Sequence, residues 1–263
     1  MNNRQTVWIT GAGSGIGRAL ALAYAKRSYH VILSGRKEDS LKETEQLCIA
    51  FDGEISVVPF DLTEIDYLSS VVEAVRSTVA KIDILINNGG IGQRSMIAET
   101  PLKIDRQIFE TNYFGTIEFT KRVLPWMVET GGGTIAVVSS ISGLFGFPLR
   151  SSYAASKHAL SGYFETLGLE HINDNIHTCI IYPGRIRTDI SKNAITASGE
   201  PQNQMDKGQR DGMSADLCAE KILRGIRRKK RTILVGGKEL LLAQIHRFLP
   251  RLFWKIAPKI DPR

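Results

Sequence analysis

The chain has 263 residues, a length that fits one α/β domain as easily as two smaller ones, and we read 1–263 as a single domain. Apolar residues make up 43% of it, enough for a full core, and no uninterrupted apolar run of about 18 residues reads as a membrane span. The net charge of +7 suits a polyanionic partner and an anionic cofactor equally well, so charge alone decides little.

The first residues, M-N-N-R-Q-T-V-W-I-T, run almost directly into a strand. They leave no room for the charged region, apolar stretch and cleavage site of a secretory signal, which predicts a cytoplasmic protein. Short β-rich runs then alternate with helical patterns. A strand at Val7 to Thr10 precedes a helix from about Gly15 to Arg27. Further strands are expected at Val31 to Ser34, Ile55 to Phe60, Ile82 to Asn87, Thr134 to Ser139, Thr178 to Tyr182 and Thr232 to Val235. Strands with few polar interruptions, joined by helical crossovers, predict a parallel sheet covered on both faces. The expected fold is therefore α/β: a doubly wound, Rossmann-type three-layer sandwich with about seven strands, binding ligands beyond their carboxyl ends.

At the first of those ends stands T-G-A-G-S-G-I-G, with Gly11, Gly13, Gly15 and Gly17 between a strand and a helix. Glycines there let backbone approach a pyrophosphate, and the helix N-terminus offers free N–H groups. Taken alone, the same run is also an ordinary glycine-rich turn. Downstream, Y-A-A-S-K sets Tyr153 and Lys157 four residues apart on one helical face. The ammonium there stabilises phenolate and is expected to lower a tyrosine pKa that is normally about 10. With Ser140 and Asn112 upstream, the set reads as a nicotinamide-dependent carbonyl/alcohol oxidoreductase.

The cysteines Cys48, Cys179 and Cys218 form no C-x-x-C pair and read as buried, reduced thiols rather than disulfides or a zinc site. The histidines show no ligand spacing, and no metal is expected. The run R-R-K-K-R at Arg227 to Arg231 is a solvated helix end, with no nucleic-acid motif beside it.

The chain resembles the short-chain dehydrogenase/reductase family through T-G-A-G-S-G-I-G, N-N-G-G at Asn87 to Gly90, Asn112, S-S-I-S-G, Y-A-A-S-K and P-G-R-I-R-T, in family order. The resemblance implies that Tyr153 exchanges the proton while hydride moves to or from nicotinamide C4. It implies that Ser140 hydrogen-bonds the carbonyl and that Lys157 holds the nicotinamide ribose. Asn112 would position a water linking that lysine to solvent. Spacing to the tyrosine selects Ser140 over Ser139, and Ser142 is read as an exposed loop serine or a residue facing substrate. Gly11, Ser14, Gly15, Ile16 and Gly17 would form the pyrophosphate turn. Asp61, Leu62, Asn88 and Gly90 would meet the adenosine side, with Gly89 in place of the usual alanine. Pro183 and Gly184 would shape the nicotinamide pocket, and Ile186 and Thr188 would bond the carboxamide.

Cofactor choice is read at the end of the second strand, where NAD enzymes present an acid to the ribose hydroxyls. Here Gly35 and Arg36 stand instead, a guanidinium suited to a 2'-phosphate, so NADP (NADPH) is preferred. Ser14 replaces the basic residue of many NADP-using relatives, which leaves NAD open.

The polar stretch from Asp189 to Met213 is long for a connection and predicts a mobile lid over the active site. Leu144, Phe145, Phe147 and Leu149 would line a greasy pocket, or fill a core or interface. Arg185 faces either an acidic substrate or solvent. Within 238–260, Leu241, Ile245, Phe248, Leu252 and Ile256 recur at helical spacing among basic residues, with a break at Pro250. Such a segment lies on an anionic membrane, covers a lipophilic site, or packs on its own domain or a partner.

N-N-G-G-I-G-Q-R-S and the C-terminus are similar to a membrane-associated branch of the family that includes dehydrogenase/reductase member 7, whose N-terminal anchor is not expected here. That implies a lipophilic carbonyl or secondary alcohol as substrate, and family resemblance implies a homodimer or homotetramer. The alternatives are a non-catalytic dinucleotide-sensing scaffold and a peripheral membrane-binding module.

Overall fold

The computed structural model describes residues 4–260; the first three residues, part of the N-terminal reading, lie outside the described residues. The elements run β1 (Thr6–Thr10), α1 (Gly15–Ala25), β2 (His30–Gly35), α2 (Glu38–Cys48), β3 (Glu54–Pro59), α3 (Leu68–Arg76), β4 (Ile84–Asn87) and α4 (Leu102–Phe109). There follow α5 (Gly115–Glu129), β5 (Gly133–Val138), α6 (Ser151–Glu170), β6 (Ile176–Pro183), β7 (Ile186–Arg187), α7 (Lys207–Arg210) and β8 (Met213–Ser214). The chain finishes with α8 (Ala215–Arg227), β9 (Thr232–Val235), α9 (Leu240–Phe248) and α10 (Pro250–Ile256).

Seven strands form one parallel sheet in the order β3-β2-β1-β4-β5-β6-β9. The chain winds outward from β1 to β3, then crosses back to lay β4 on the other side of β1. That reversal is where a doubly wound sheet opens a crevice. The seven expected strands and the three-layer Rossmann architecture are therefore present.

Alternation along each strand divides the core between the two faces. Val7 and Ile9 pack with Ala21 of α1 and Ile222 of α8 on one side, while Trp8 packs with Phe119 and Phe164 on the other. Trp8 and Phe119 meet edge to face at 4.9 Å, and the buried indole N–H donates to Ser34 Oγ at 2.8 Å. All three cysteines are buried and free.

The 189–213 stretch, read as a lid, and the C-terminal segment both pack on the domain. In the 189–213 segment, Ile195 pairs with Gln93 and buries its side chain against Ile104 and Ile108. β7 pairs with β8 across the base of that segment. The C-terminal helices break at Pro250 as expected and fold back on the domain, with Ala243, Phe253 and Ala257 enclosing Phe145. Among the described residues no helix is long and apolar enough to cross a membrane.

Candidate active site

A cavity of about 850 Å³ opens at the carboxyl ends of the strands. Its floor begins where β1 turns into α1. Gly11 and Gly15 hold φ at +65° and +52°, left-handed backbone that side chains resist. Gly11, Ser14, Gly15 and Ile16 face the cavity. Gly17 does not: a Cβ there would run into the Gly11 carbonyl and the Asn88 amide, so its role is the tight seat of the helix on the turn. The first turn of α1 carries no acid and its Ser14 cap makes no side-chain bond, which favours an anion at amides that have no intrahelical partner.

Beside the turn, Arg36 and Asp61 pair at 3.8 Å on the rim, and Leu62, Asn88 and Gly90 continue the wall. Asn88 Nδ2 donates to the carbonyls of Thr10 and Gly11 at 3.0 and 3.2 Å, tying β4 to the glycine turn. Gly89 has a local reason. A Cβ there would stand 2.9 Å from Leu62 Cδ1, so the alanine usual at this place requires Leu62 to shift.

The other half of the site is built where β5 ends and α6 begins. Ser140 Oγ accepts from Ser142 N–H at 3.1 Å, opening a turn at Ile141–Gly143 that draws Ser142 inward; Ser142 is buried at the cavity wall, not an exposed loop serine. Ser139 Oγ donates to the Lys157 carbonyl at 3.0 Å, a structural tie that leaves Ser140 as the serine on Tyr153. Lys157 Nζ donates to the Val138 carbonyl at 2.8 Å and stands 5.9 Å from the Tyr153 ring centroid.

The local electrostatics differ from the expectation that Lys157 depresses the phenol. Burial raises the Tyr153 pKa above its ordinary value; the Ser140 hydrogen bond and the charges of Arg94 and Arg150 oppose that rise. Burial also pushes the Lys157 ammonium down to about 8. A four-residue spacing conveys proximity but not desolvation, and here desolvation dominates.

Asn112 lies behind the wall rather than on it. It occupies a π-helical turn, Glu110–Phe114, between α4 and α5, and is wholly buried. Its Oδ1 accepts from Ile91 N–H at 2.8 Å, and its Nδ2 donates to the Ile91 carbonyl at 3.0 Å and Ser156 Oγ at 3.1 Å.

Pro183, Gly184, Ile186 and Thr188 line the cavity between these halves, with Thr188 facing Gly15. The backbone N–H of Arg185 donates to Glu239 Oε1 at 2.8 Å, which fastens the C-terminal helices to the pocket. Phe145 and Phe147 line the apolar part with Leu242 of α9.

The sequence reading assigned no role to four residues that the structure brings here. Asp206 is buried between Arg94 and Arg150, bonded by Arg94 Nε at 2.9 Å and Nη2 at 2.6 Å and by Arg150 Nη2 at 2.9 Å. Gln93 is wholly buried at the start of α6. Gln93 and Arg94 stood in the quoted Q-R-S run, but partners up to 112 positions away leave no local signal.

Comparisons with known proteins agree with this geometry. The family model described as short chain dehydrogenase matches residues 5–198. A Drosophila melanogaster protein named dehydrogenase/reductase SDR family protein 7-like is 38% identical over 260 residues, covering 97% of this chain and 80% of that protein. A short chain dehydrogenase/reductase from Burkholderia phymatum, solved with NAD, superposes with a TM-score of 0.84 at 22% identity, over 99% of this chain and 98% of that one. An alcohol dehydrogenase from Thermococcus sibiricus, complexed with 5-hydroxy-NADP, gives 0.76 at 22% identity over 90% and 97%. With its glycine turn, its parallel sheet and its Ser-Tyr-Lys wall in place, the chain belongs to the short-chain dehydrogenase/reductase family of oxidoreductases.

Proposed function

We propose that this protein is an NADP(H)-dependent oxidoreductase that interconverts a lipophilic carbonyl and a secondary alcohol, with Tyr153 as general acid and base. The observation that carries this reading is that Ser140, Tyr153 and Lys157 line one cavity together with the glycine turn and Arg36. The residues fit a dinucleotide. A cradle without side chains, an acid-free helix N-terminus and a rim guanidinium suit a pyrophosphate and a 2'-phosphate.

When bound, the nicotinamide would supply or accept the hydride. Gly11, Ser14, Gly15 and Ile16 would hold the pyrophosphate and Arg36 the 2'-phosphate. Asp61, Leu62, Asn88 and Gly90 would border the adenosine, and Pro183, Gly184, Ile186 and Thr188 the nicotinamide. In reduction, Tyr153 gives its phenolic proton to the carbonyl oxygen while Ser140 donates a hydrogen bond to the same atom. Burial keeps the phenol protonated at neutral pH, the form that reduction needs. The Lys157 ammonium would hold the nicotinamide ribose and favour phenolate as the proton leaves. Phe145, Phe147 and Leu242 favour an apolar substrate body.

The test is binding of NADPH and NADH to wild type and Arg36→Ala, followed by turnover of a panel of lipophilic ketones and aldehydes. Losing a charge-assisted bond of about 1.5–3 kcal/mol should weaken NADPH roughly 10- to 100-fold and leave NADH unchanged. Tyr153→Phe should abolish turnover. Failure of folded wild type to bind either dinucleotide would sink the reading and leave the sensing scaffold no better placed.

A second reading concerns substrate supply. Leu241, Phe248, Leu252 and Trp254 of α9 and α10, with Leu249 between the helices, are exposed and interleaved with Arg247, Arg251 and Lys255. That supports peripheral contact of a cytoplasmic protein with an anionic bilayer. Flotation with phosphatidylserine vesicles, lost in Phe248→Ser/Trp254→Ser, checks it; equal flotation of both proteins would refute it. Exposed Phe114 and Leu169 support the homodimer or homotetramer, checked by light scattering.

A further inference from the structure

The helix that carries Tyr153 and Lys157 begins without a local cap. Arg150 precedes α6 and makes no side-chain capping bond, and the first turn holds no acid. An uncapped helix start leaves amide donors without intrahelical partners, a costly arrangement where they are buried. The partner comes from 60 positions upstream. Gln93 Oε1 accepts from Ser152 N–H at 2.9 Å and from Tyr153 N–H at 3.2 Å.

The other end of the same carboxamide is equally occupied. Nε2 donates to Ser95 Oγ and to Ser151 Oγ, both at 3.2 Å. Both amide hydrogens and the oxygen are thus used, and the orientation follows from chemistry: only the oxygen can accept from two backbone N–H groups. Gln93 is fully buried, so no water competes for these bonds.

Its own backbone is also held. Gly92 C=O accepts from Ile195 N–H at 3.0 Å, and Arg94 N–H donates to the Ile195 carbonyl at 2.9 Å. Gln93 therefore stands on a short ladder with the 189–213 segment on one side and α6 on the other. It touches the main chain of Tyr153 itself, leaving little slack between its position and that of the phenol.

We propose that Gln93 is a positioning residue for Tyr153. Its carboxamide sets the axial position of α6 and so the placement of the phenol against Ser140 and the substrate oxygen. The proposal rests on the reading of Tyr153 as the general acid and base.

The test compares wild type, Gln93→Met and Gln93→Glu as full chains. Methionine fills similar space without polar atoms; glutamate restores the acceptor, and the Ser95 and Ser151 hydroxyls can turn to donate to it. Gln93→Met should lower kcat roughly 10- to 100-fold, the scale of a misplacement of about 1 Å. NADPH affinity and the KM for the carbonyl should stay within about threefold, the part of the effect a merely structural lesion would not spare. Gln93→Glu should recover most of the lost kcat. Amide hydrogen exchange at Ser152 and Tyr153 should quicken in the methionine variant alone.

A Gln93→Met protein within twofold of wild-type kcat, or one losing kcat and NADPH affinity in parallel, would overturn the proposal. So would unchanged exchange at the two amides, a readout that needs no turnover. Wild type inactive on every carbonyl, or Tyr153→Phe fully active, would instead overturn the functional reading.

Discussion

Arg94 and Asp206 stand 112 positions apart in the chain and meet as a pair almost wholly withdrawn from solvent, with two nitrogens of the guanidinium on one carboxylate oxygen. Arg150 shares that oxygen. Burial alone would raise the Asp206 pKa, but hydrogen bonds from Arg94 and Gln202 and the two guanidinium charges hold it below the ordinary value. Breaking one side of a buried ion pair leaves a charge stranded, so Arg94→Met should cost about 3–5 kcal/mol in urea unfolding. The contribution of Asp206 is full above its unfolded pKa of about 4 and is lost as pH falls from there through the lower native value. Stability of wild type should therefore drop more steeply below about pH 4 than that of Asp206→Asn, measured by unfolding across acid pH.

Ser140→Ala removes the hydrogen bond that opposes the rise in the Tyr153 pKa. The phenol then holds its proton to higher pH. For reduction the falling alkaline limb of kcat/KM moves up, and for alcohol oxidation the rising limb moves up as well. Loss of the donor to the substrate oxygen should also lower kcat about 100- to 1000-fold at all pH values. A pH profile in both directions checks both parts.

Gly17→Ala should impair the nucleotide site without touching it. The added methyl would collide with the Gly11 carbonyl and Asn88, so the turn must open. Overpacking of this kind costs about 1–3 kcal/mol, read in thermal unfolding, and dinucleotide binding by fluorescence should weaken with it.

Phe145→Ala should separate the pocket from its cover. The ring packs 5.2 Å from that of Phe253 and lines the cavity. Its removal should cost about 3–5 kcal/mol and raise the KM for bulky apolar carbonyls more than for small ones. Steady-state kinetics on two ketones of different size suffice.

The inner strands were legible because strands buried on both faces read as nearly continuous apolar runs, while the partly exposed edge strands β3 and β9 were legible from their β-branched and apolar residues. Val31 to Ser34 differs from the observed strand by one residue at each end. The expected start of β4 at Ile82 moves to Ile84, although Asp83 already bonds the main chain of Thr6 in β1 and of Thr134 in β5. Tyr153 and Lys157 were legible because four residues on a helix are neighbours in any context. Their titration was not, since it depends on what buries them. Gln93 and Asp206 escaped for a related reason: their partners are distant in sequence and their residue types commonplace on a surface.

The wide turn at Glu110–Phe114 sets the angular phase between two helices. Ahead of it, Ile104 and Ile108 of α4 are aimed at Ile195. Beyond it, Phe119 and Val123 of α5 are aimed at the sheet. Each residue of a helix advances about 100°, so deleting a single one there would turn the two stripes against each other by that angle. The Ile195 contact and the sheet core would then compete for one helix axis. Beside the fixed side chains of Thr111 and Asn112, the length of that turn is thus a second constraint on it, one that length-variant libraries across 110–114 would expose as a gap.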